Sequence, residues 1–211
     1  MIVNPNPQDT RRHFGVACSA FLICLIFLSP ALSSILEFNR DAIASGEVWR
    51  LLTGHTTHWT ASHLAWDLIA FVLLLNAALT YSVKTTLSLL ATSAILITLS
   101  VFAFKPDLAT YRGLSGLDTT LFTYCLIQIG NEMKARRHRY GLAAVYLVAI
   151  GLIAKVIVEL LTHQPLFVSE LGQDIVIVPL AHLVGIVAGC IPSLTQRLTT
   201  RLAGTHADSL S

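Results

Sequence analysis

Apolar residues in this chain run in long uninterrupted blocks, unlike the alternating or three-to-four-residue rhythm of a half-solvated surface. A helix crossing about 30 Å of hydrocarbon at 1.5 Å per residue needs roughly 20 such positions. Phe14 to Leu36 and Thr85 to Phe104 meet that length without a single charge. Three further blocks meet it with polar blemishes: His63 to Val83 contains Asp67, Tyr140 to Thr162 contains Lys155 and Glu159, and Ile175 to Leu194 contains His182. A sixth, Leu114 to Gly130, is diluted by Ser115, Asp118, Thr119, Thr120 and Thr123, yet its flanks must lie on opposite sides. A helix too polar to face lipid is expected inside the bundle. The pattern predicts an all-α polytopic membrane protein, a bundle of six transmembrane helices over residues 14–196 with short polar tails at 1–13 and 197–211.

Composition narrows the class. Of the 211 residues, 54% are hydrophobic and 12% charged, where a soluble domain carries about 25% charged. The mean hydropathy of +0.68 excludes a water-soluble or disordered chain. A net charge of +2 supplies no basic face, so nucleic acid is not expected as a partner. Cys18, Cys24, Cys125 and Cys190 lie in apolar stretches without Cys-x-x-Cys spacing, which suggests neither a disulfide framework nor a thiolate metal site. Placing the N-terminus in the cytoplasm puts Arg11, Arg12, Lys84, Lys134, Arg136, Arg137, Arg139, Arg197 and Arg201 inside, against Arg40, Arg50, Lys105 and Arg112 outside. Both termini are therefore expected in the cytoplasm. Arg11 and Arg12 ahead of an apolar run also fit a cleaved signal peptide, but the run is long enough to span and the charge bias calls for an even number of helices. The outer loop from Glu37 to Ser62 holds Trp49, Arg50, His55, His58 and Trp59, and its tryptophans suit a membrane interface.

Ionisable groups within a membrane cost about 2.5 to 3.5 kcal/mol at its centre, so they point to function when they converge. In the expected topology His63, Ser115 and His182 each lie near the outer end of a different helix. Ser115 opens its helix within Gly113-Leu114-Ser115-Gly116, where unpaired N–H groups and the positive helix end favour a developing oxyanion beside the hydroxyl. His182 is followed by Gly185 and Gly189, a small-residue face that permits close helix contact in lipid. Such contact would bring imidazole to Ser115 as the base its hydroxyl needs. Taken singly each motif has a plain structural explanation in helix packing or back-bonding to the helix. Asp118, three residues after Ser115, is a candidate to orient His182, although a first-turn carboxylate also suits the helix dipole. His55, His58, His63 and Asp67 are possible metal ligands, but there is no His-Glu-x-x-His motif, and neither metal nor other cofactor is expected. Haem ligation by His63 and His182 leaves Gly-x-Ser-Gly without a purpose.

These residues together resemble the rhomboid family of intramembrane serine proteases, from Trp49-Arg50 through Gly189. The resemblance rests on the Trp-Arg pair of the outer loop, on His58 and His63 with Asp67, on Gly113 to Gly116, and on Ala181-His182 with Gly185 and Gly189. It implies Ser115 as nucleophile, His182 as general base and then acid, and His63 with the Ser115 N–H as oxyanion donors. Two departures stand out. Asp67 replaces the family's usual Asn, and an ionised carboxylate repels an oxyanion, so Asp67 must be protonated, turned away or paired with His63. Thr119 stands where many rhomboids carry a Tyr packed on the histidine.

Trp49 to His55, Tyr111 to Gly116 and Val178 to His182 further resemble the rhombosortase branch. That branch implies a protease of a bacterial inner membrane, its site opening toward the periplasm. Its implied partners are membrane lipids and the C-terminal transmembrane segments of exported proteins, cut at a sorting signal of Gly-Gly, hydrophobic helix and basic tail. The alternatives are a rhomboid protease with other membrane substrates, or a rhomboid-like protein that binds membrane helices without cutting them. Lys155 and Glu159 also resemble the rhombosortase branch, and at i and i+4 they are expected to form a structural or gating ion pair near the outer side.

Overall fold

The computed structural model describes residues 7–162 and 178–208, with side chains over 10–162 and 178–195. The start of the expected sixth span at Ile175, and the side chains of Arg197 and Arg201 used for orientation, lie outside the described residues. Nine α-helices and one antiparallel pair of two-residue strands are described: α1 (Pro7–Leu28), α2 (Pro30–Leu36), β1 (Phe38–Asn39), α3 (Arg40–Ala44), α4 (Arg50–Thr53), α5 (Ala61–Tyr81), α6 (Val83–Phe104), β2 (Thr110–Tyr111), α7 (Ser115–Ala135), α8 (Arg139–Thr162) and α9 (Pro179–Asp208). A single 3₁₀ turn, Gly54–Thr56, follows α4.

Four of these helices are long and apolar enough to cross a membrane: Thr10–Leu28 within α1, then α5, α6 and α8. The Pro179–Thr195 part of α9 is apolar but shorter, and α7 is the polar helix expected inside the bundle. Its residues Gly116 to Thr120, Leu121, and Thr123 to Cys125 are all buried. The threonine hydroxyls that dilute its hydropathy are satisfied within the helix: Thr119 donates to the Ser115 carbonyl at 2.8 Å, Thr120 to Gly116 at 3.1 Å and Thr123 to Thr119 at 2.9 Å. Back-bonding of this kind lets a Thr-rich helix sit in a dry core. By contrast, α8 buries only Val156 and Glu159 among its 24 residues.

The first apolar block is broken where the sequence pattern runs on. Ser29 caps α2 by accepting from Leu32 N–H, and Pro30 occupies the first helical turn, so the block expected from Phe14 to Leu36 becomes α1 plus a short second helix. Composition alone hides that break, because Pro and Ser at helix starts are apolar enough to pass within the window. Similarly, Thr60 caps α5 through His63 N–H and Ser82 caps α6 through Thr85 N–H. These caps set where the polar residues near each helix start are held.

The loop between α2 and α5 is a built structure. Trp49 Nε1 donates to the Ile35 carbonyl at 3.3 Å, Arg50 Nη1 to Ser34 at 2.8 Å, and Thr53 Oγ1 to Leu36 at 2.6 Å. The Trp-Arg pair thus satisfies the last carbonyls of α2, which have no helical partners of their own. Antiparallel pairing of Phe38 with Tyr111 and Asn39 with Thr110 ties this loop to the segment leading into α7. Arg40 reaches the carbonyls of Val101, Phe102 and Lys105 at the C-terminal end of α6 and that of Leu108 in the turn beyond it, favoured by the negative end of that helix.

Candidate active site

Ser115 is the first residue of α7, and its approach is shaped by a single glycine. Gly113 has φ +119°, a conformation that glycine alone adopts without strain. A Cβ there would lie 2.8 Å from His63 Nε2 and 3.2 Å from Asp67 Oδ2. Leu114 N–H, immediately before the helix, donates to Asp67 Oδ2 at 2.8 Å. Asp67 therefore acts as a cap supplied from the neighbouring helix α5, a role that suits a carboxylate at the positive end of α7. His58 Nε2 and His63 Nε2 each stand 3.3 Å from the same oxygen. Of the three options left open for Asp67 by its sequence, the pairing with His63 is the arrangement present.

His58, His63 and Asp67 are all buried, and their ligating atoms lie within 4.8 Å of one another. This trio is the one group among the described residues that could hold a metal ion, but Asp67 Oδ2 already receives the Leu114 N–H. His63 Nδ1 and both nitrogens of His58 are buried without hydrogen-bond partners. Outside the spanning helices, burial is the main effect holding the imidazoles of His55 and His58 below their ordinary pKa, so both are neutral at pH 7. His55 Nε2 meets the Ala94 carbonyl at 3.1 Å. Burial likewise raises the Tyr111 phenol.

His182 is the fourth residue of α9, whose most extensive partner is α7. A Cβ on Gly185 would come 2.5 Å from the Gly116 carbonyl, and one on Gly189 2.7 Å from the Thr120 carbonyl. Conversely, a Cβ on Gly116 would meet Ala181 Cβ and the Ala181 carbonyl at 3.3 Å. The three glycines thus bring the backbones of α7 and α9 together next to Ser115 and His182. Among the described residues no hydrogen bond joins Ser115 Oγ to His182, and catalytic contacts of this kind commonly tighten only around substrate.

This arrangement lies within a stretch, residues 45–197, that matches the rhomboid domain family. The chain belongs to the rhomboid family. No curated protein matches it. Rhomboids are multi-pass membrane proteins built around intramembrane serine proteolysis, which agrees with the apolar helices of this chain.

Of the residues singled out in the rhomboid sequence, His63 and Asp67 meet at the approach to Ser115, while Gly113, Gly116, Gly185 and Gly189 pack the elements around it. Trp49 and Arg50 brace the outer loop. The carboxylate that meets His182 comes from α8. His182 Nδ1 is met at 2.8 Å by Glu159 Oε2 from α8, whereas Asp118 Oδ1 is buried without any hydrogen-bond partner. Asp118, three residues after Ser115, remains the first-turn carboxylate of α7 that the helix dipole favours. Lys155 and Glu159 do form the expected ion pair, at 2.8 Å, but its carboxylate also serves the histidine. Two charges in a span of otherwise unbroken apolar residues were the only signal of this, and their i, i+4 spacing accounts for the pair without reference to any other helix.

Proposed function

We propose that this rhomboid is an intramembrane serine endopeptidase in which Ser115 is the nucleophile and His182 the general base. The observation that supports the reading is the close contact of α7 and α9 through Gly116, which adjoins Ser115, and Gly185 and Gly189, which follow His182 on the facing helix. In this reading His182 takes the Ser115 proton as Oγ attacks a peptide carbonyl. It returns that proton to the leaving amine, and water then releases the acyl-enzyme. The Ser115 N–H, aligned with the positive end of α7, and His63 would donate to the tetrahedral oxygen. Because His63 Nε2 faces Asp67 at 3.3 Å, its donation requires that proton to be shared with, or turned from, the carboxylate. A substrate helix must unwind before its carbonyls are open to attack, so a Gly-rich segment near the outer surface is the favoured sequence.

In the same reading α1, α5, α6, α7, α8 and α9 are six spans with both termini in the cytoplasm of a bacterium, and the site opens to the periplasmic side. The substrates are exported proteins with a C-terminal Gly-Gly, hydrophobic helix and basic tail, as the likeness of Trp49 to His55, Tyr111 to Gly116 and Val178 to His182 to rhombosortases supports. The test is cleavage of a co-expressed reporter bearing that C-terminus by the wild type, Ser115→Ala and His182→Ala. Cleavage abolished by both substitutions is the expected result. Cleavage of a general rhomboid substrate alone overturns the sorting assignment, and a folded wild type that cuts neither overturns the protease reading.

A further inference from the structure

Helix α8 is the least embedded of the long apolar helices: its apolar window is 6% buried, against 28% for α5 and 33% for α6. Yet one of its two buried residues is a glutamate, only 2% exposed. A carboxylate is the costliest group to withdraw from water in such a place unless it is paired and hydrogen-bonded. Both oxygens of Glu159 are used. Oε1 lies 2.8 Å from Lys155 Nζ, one turn earlier on the same helix, and Oε2 lies 2.8 Å from His182 Nδ1 on α9. Lys155 Nζ stands farther off, 3.4 Å, from that same nitrogen.

We propose that Glu159 is a positioning residue for the reaction, holding the His182 ring so that Nδ1 carries the proton and Nε2 presents its lone pair toward Ser115, with Lys155 keeping the carboxylate charged and oriented. This rests on the reading of Ser115 and His182 as nucleophile and base. The chemistry follows from what each atom can do. A carboxylate paired with an ammonium only accepts hydrogen bonds, so the nitrogen 2.8 Å away must donate. A neutral imidazole has one N–H, and placing it on Nδ1 leaves Nε2 as the base. When Nε2 takes the Ser115 proton, the positive charge forms against Glu159, as the acid of a serine-protease triad stabilises its histidine. The ion pair of α8 alone would not require burial: the i, i+4 contact forms equally well facing a headgroup or water. What burial adds is the contact with α9.

The experiment is the rate at which a fluorophosphonate modifies Ser115 in the purified full-length chain, measured over a range of probe concentrations so that maximal rate and half-saturating concentration separate. In that step Oγ bonds to phosphorus, fluoride leaves, and His182 Nε2 accepts the hydroxyl proton. Glu159→Gln keeps the volume but presents an amide that can donate to Nδ1 and so favours the wrong tautomer. Its maximal rate is expected to fall at least 100-fold with the half-saturating concentration and thermal unfolding near wild type. Glu159→Asp retains the charge but withdraws it from the 2.8 Å contact, and is expected to restore part of the rate. It also keeps the proposal testable if the glutamine variant does not fold. A Glu159→Gln rate within threefold of wild type overturns the proposal. So does a loss that tracks the folded fraction and is not relieved by aspartate. A wild type that is folded but unlabelled at Ser115 overturns the serine-nucleophile reading itself, an outcome distinct from equal labelling of wild type and variant.

Discussion

Adding one methyl group at Gly185 is expected to weaken both the fold and the reaction, by amounts that follow from the α7–α9 contact. The new Cβ would sit 2.5 Å from the Gly116 carbonyl oxygen, 3.2 Å from Thr119 Cβ and 3.3 Å from the Thr120 nitrogen. Ordinary contact begins at 3.4 Å, so the helices must part by about 0.9 Å at that point. Two of the three obstacles are backbone atoms, which no rotamer change can move aside. A gap of about 0.5–1 Å forfeits a quarter to a half of each dispersion contact across it, and overpacking of this kind costs about 1–3 kcal/mol. Against that stands the roughly 1 kcal/mol by which Ala exceeds Gly in a helix interior. A net loss of up to about 2 kcal/mol remains, while relative to Gly151→Ala, which gains the helix preference without the clash, the deficit is the full clash cost of about 1–3 kcal/mol. Because Gly116 adjoins Ser115, the same displacement separates the proposed nucleophile from the proposed base, and a 1 Å misplacement can cost about 100-fold in rate. Thermal unfolding in detergent and reporter cleavage measure the two effects on one preparation. Gly151, on the exposed part of α8, is the control: a Cβ there meets nothing within 4 Å, so Gly151→Ala should be at least as stable as wild type and as active. If Gly185→Ala matches Gly151→Ala in both measurements, the helix contact does not set the geometry of the site.

Asp67 is expected to matter as an acceptor more than as a charge. Asp67→Asn keeps an oxygen for the Leu114 N–H and should cleave within about tenfold of wild type, whereas Asp67→Ala leaves that buried N–H bare and should lose about 1–3 kcal/mol in denaturant unfolding; equal stability of the two variants would remove the capping role. Acidification should destabilise the outer loop. His55 and His58 have folded pKa values depressed below 6.5, so below that pH the unfolded chain binds more protons than the folded one. Their contribution is complete above pH 6.5 and is lost as pH falls toward the folded values, by up to about 1.4 kcal/mol per histidine per pH unit. Thermal unfolding followed from pH 7.5 to 5.0 should show this slope, and His55→Gln with His58→Gln should flatten it; an unchanged slope in the double variant assigns acid sensitivity to other groups.

How far the sequence discloses this molecule depends on the distance over which each determinant acts. The long apolar helices are legible because their cause is one-dimensional: about 20 apolar residues in a row have few other fates. The break at Ser29 and Pro30 is legible only as a cap, since hydropathy averages across it. Ser115 and His182 announce themselves through neighbours in the chain, Gly113, Gly116, Gly185 and Gly189, because the backbone contacts they need are bought with glycines a few residues away. Asp67 is half legible: its conflict with an oxyanion can be stated from sequence, but its hydrogen bond to Leu114 spans helices α5 and α7. Glu159 is hidden for a directional reason. His63, Ser115 and His182 all lie within the first four residues of their helices, so they share a depth by running the same way. Helix α8 is described from Arg139, with three residues between it and α7, and Glu159, twenty residues farther along it, reaches His182 near the start of α9, so α8 runs the opposite way. A search for polar residues at helix starts therefore passes over it and meets Asp118 first. In an antiparallel bundle the groups that meet at one depth lie at the starts of some helices and far from the starts of others, and Lys155 with Glu159 is where this chain follows that rule.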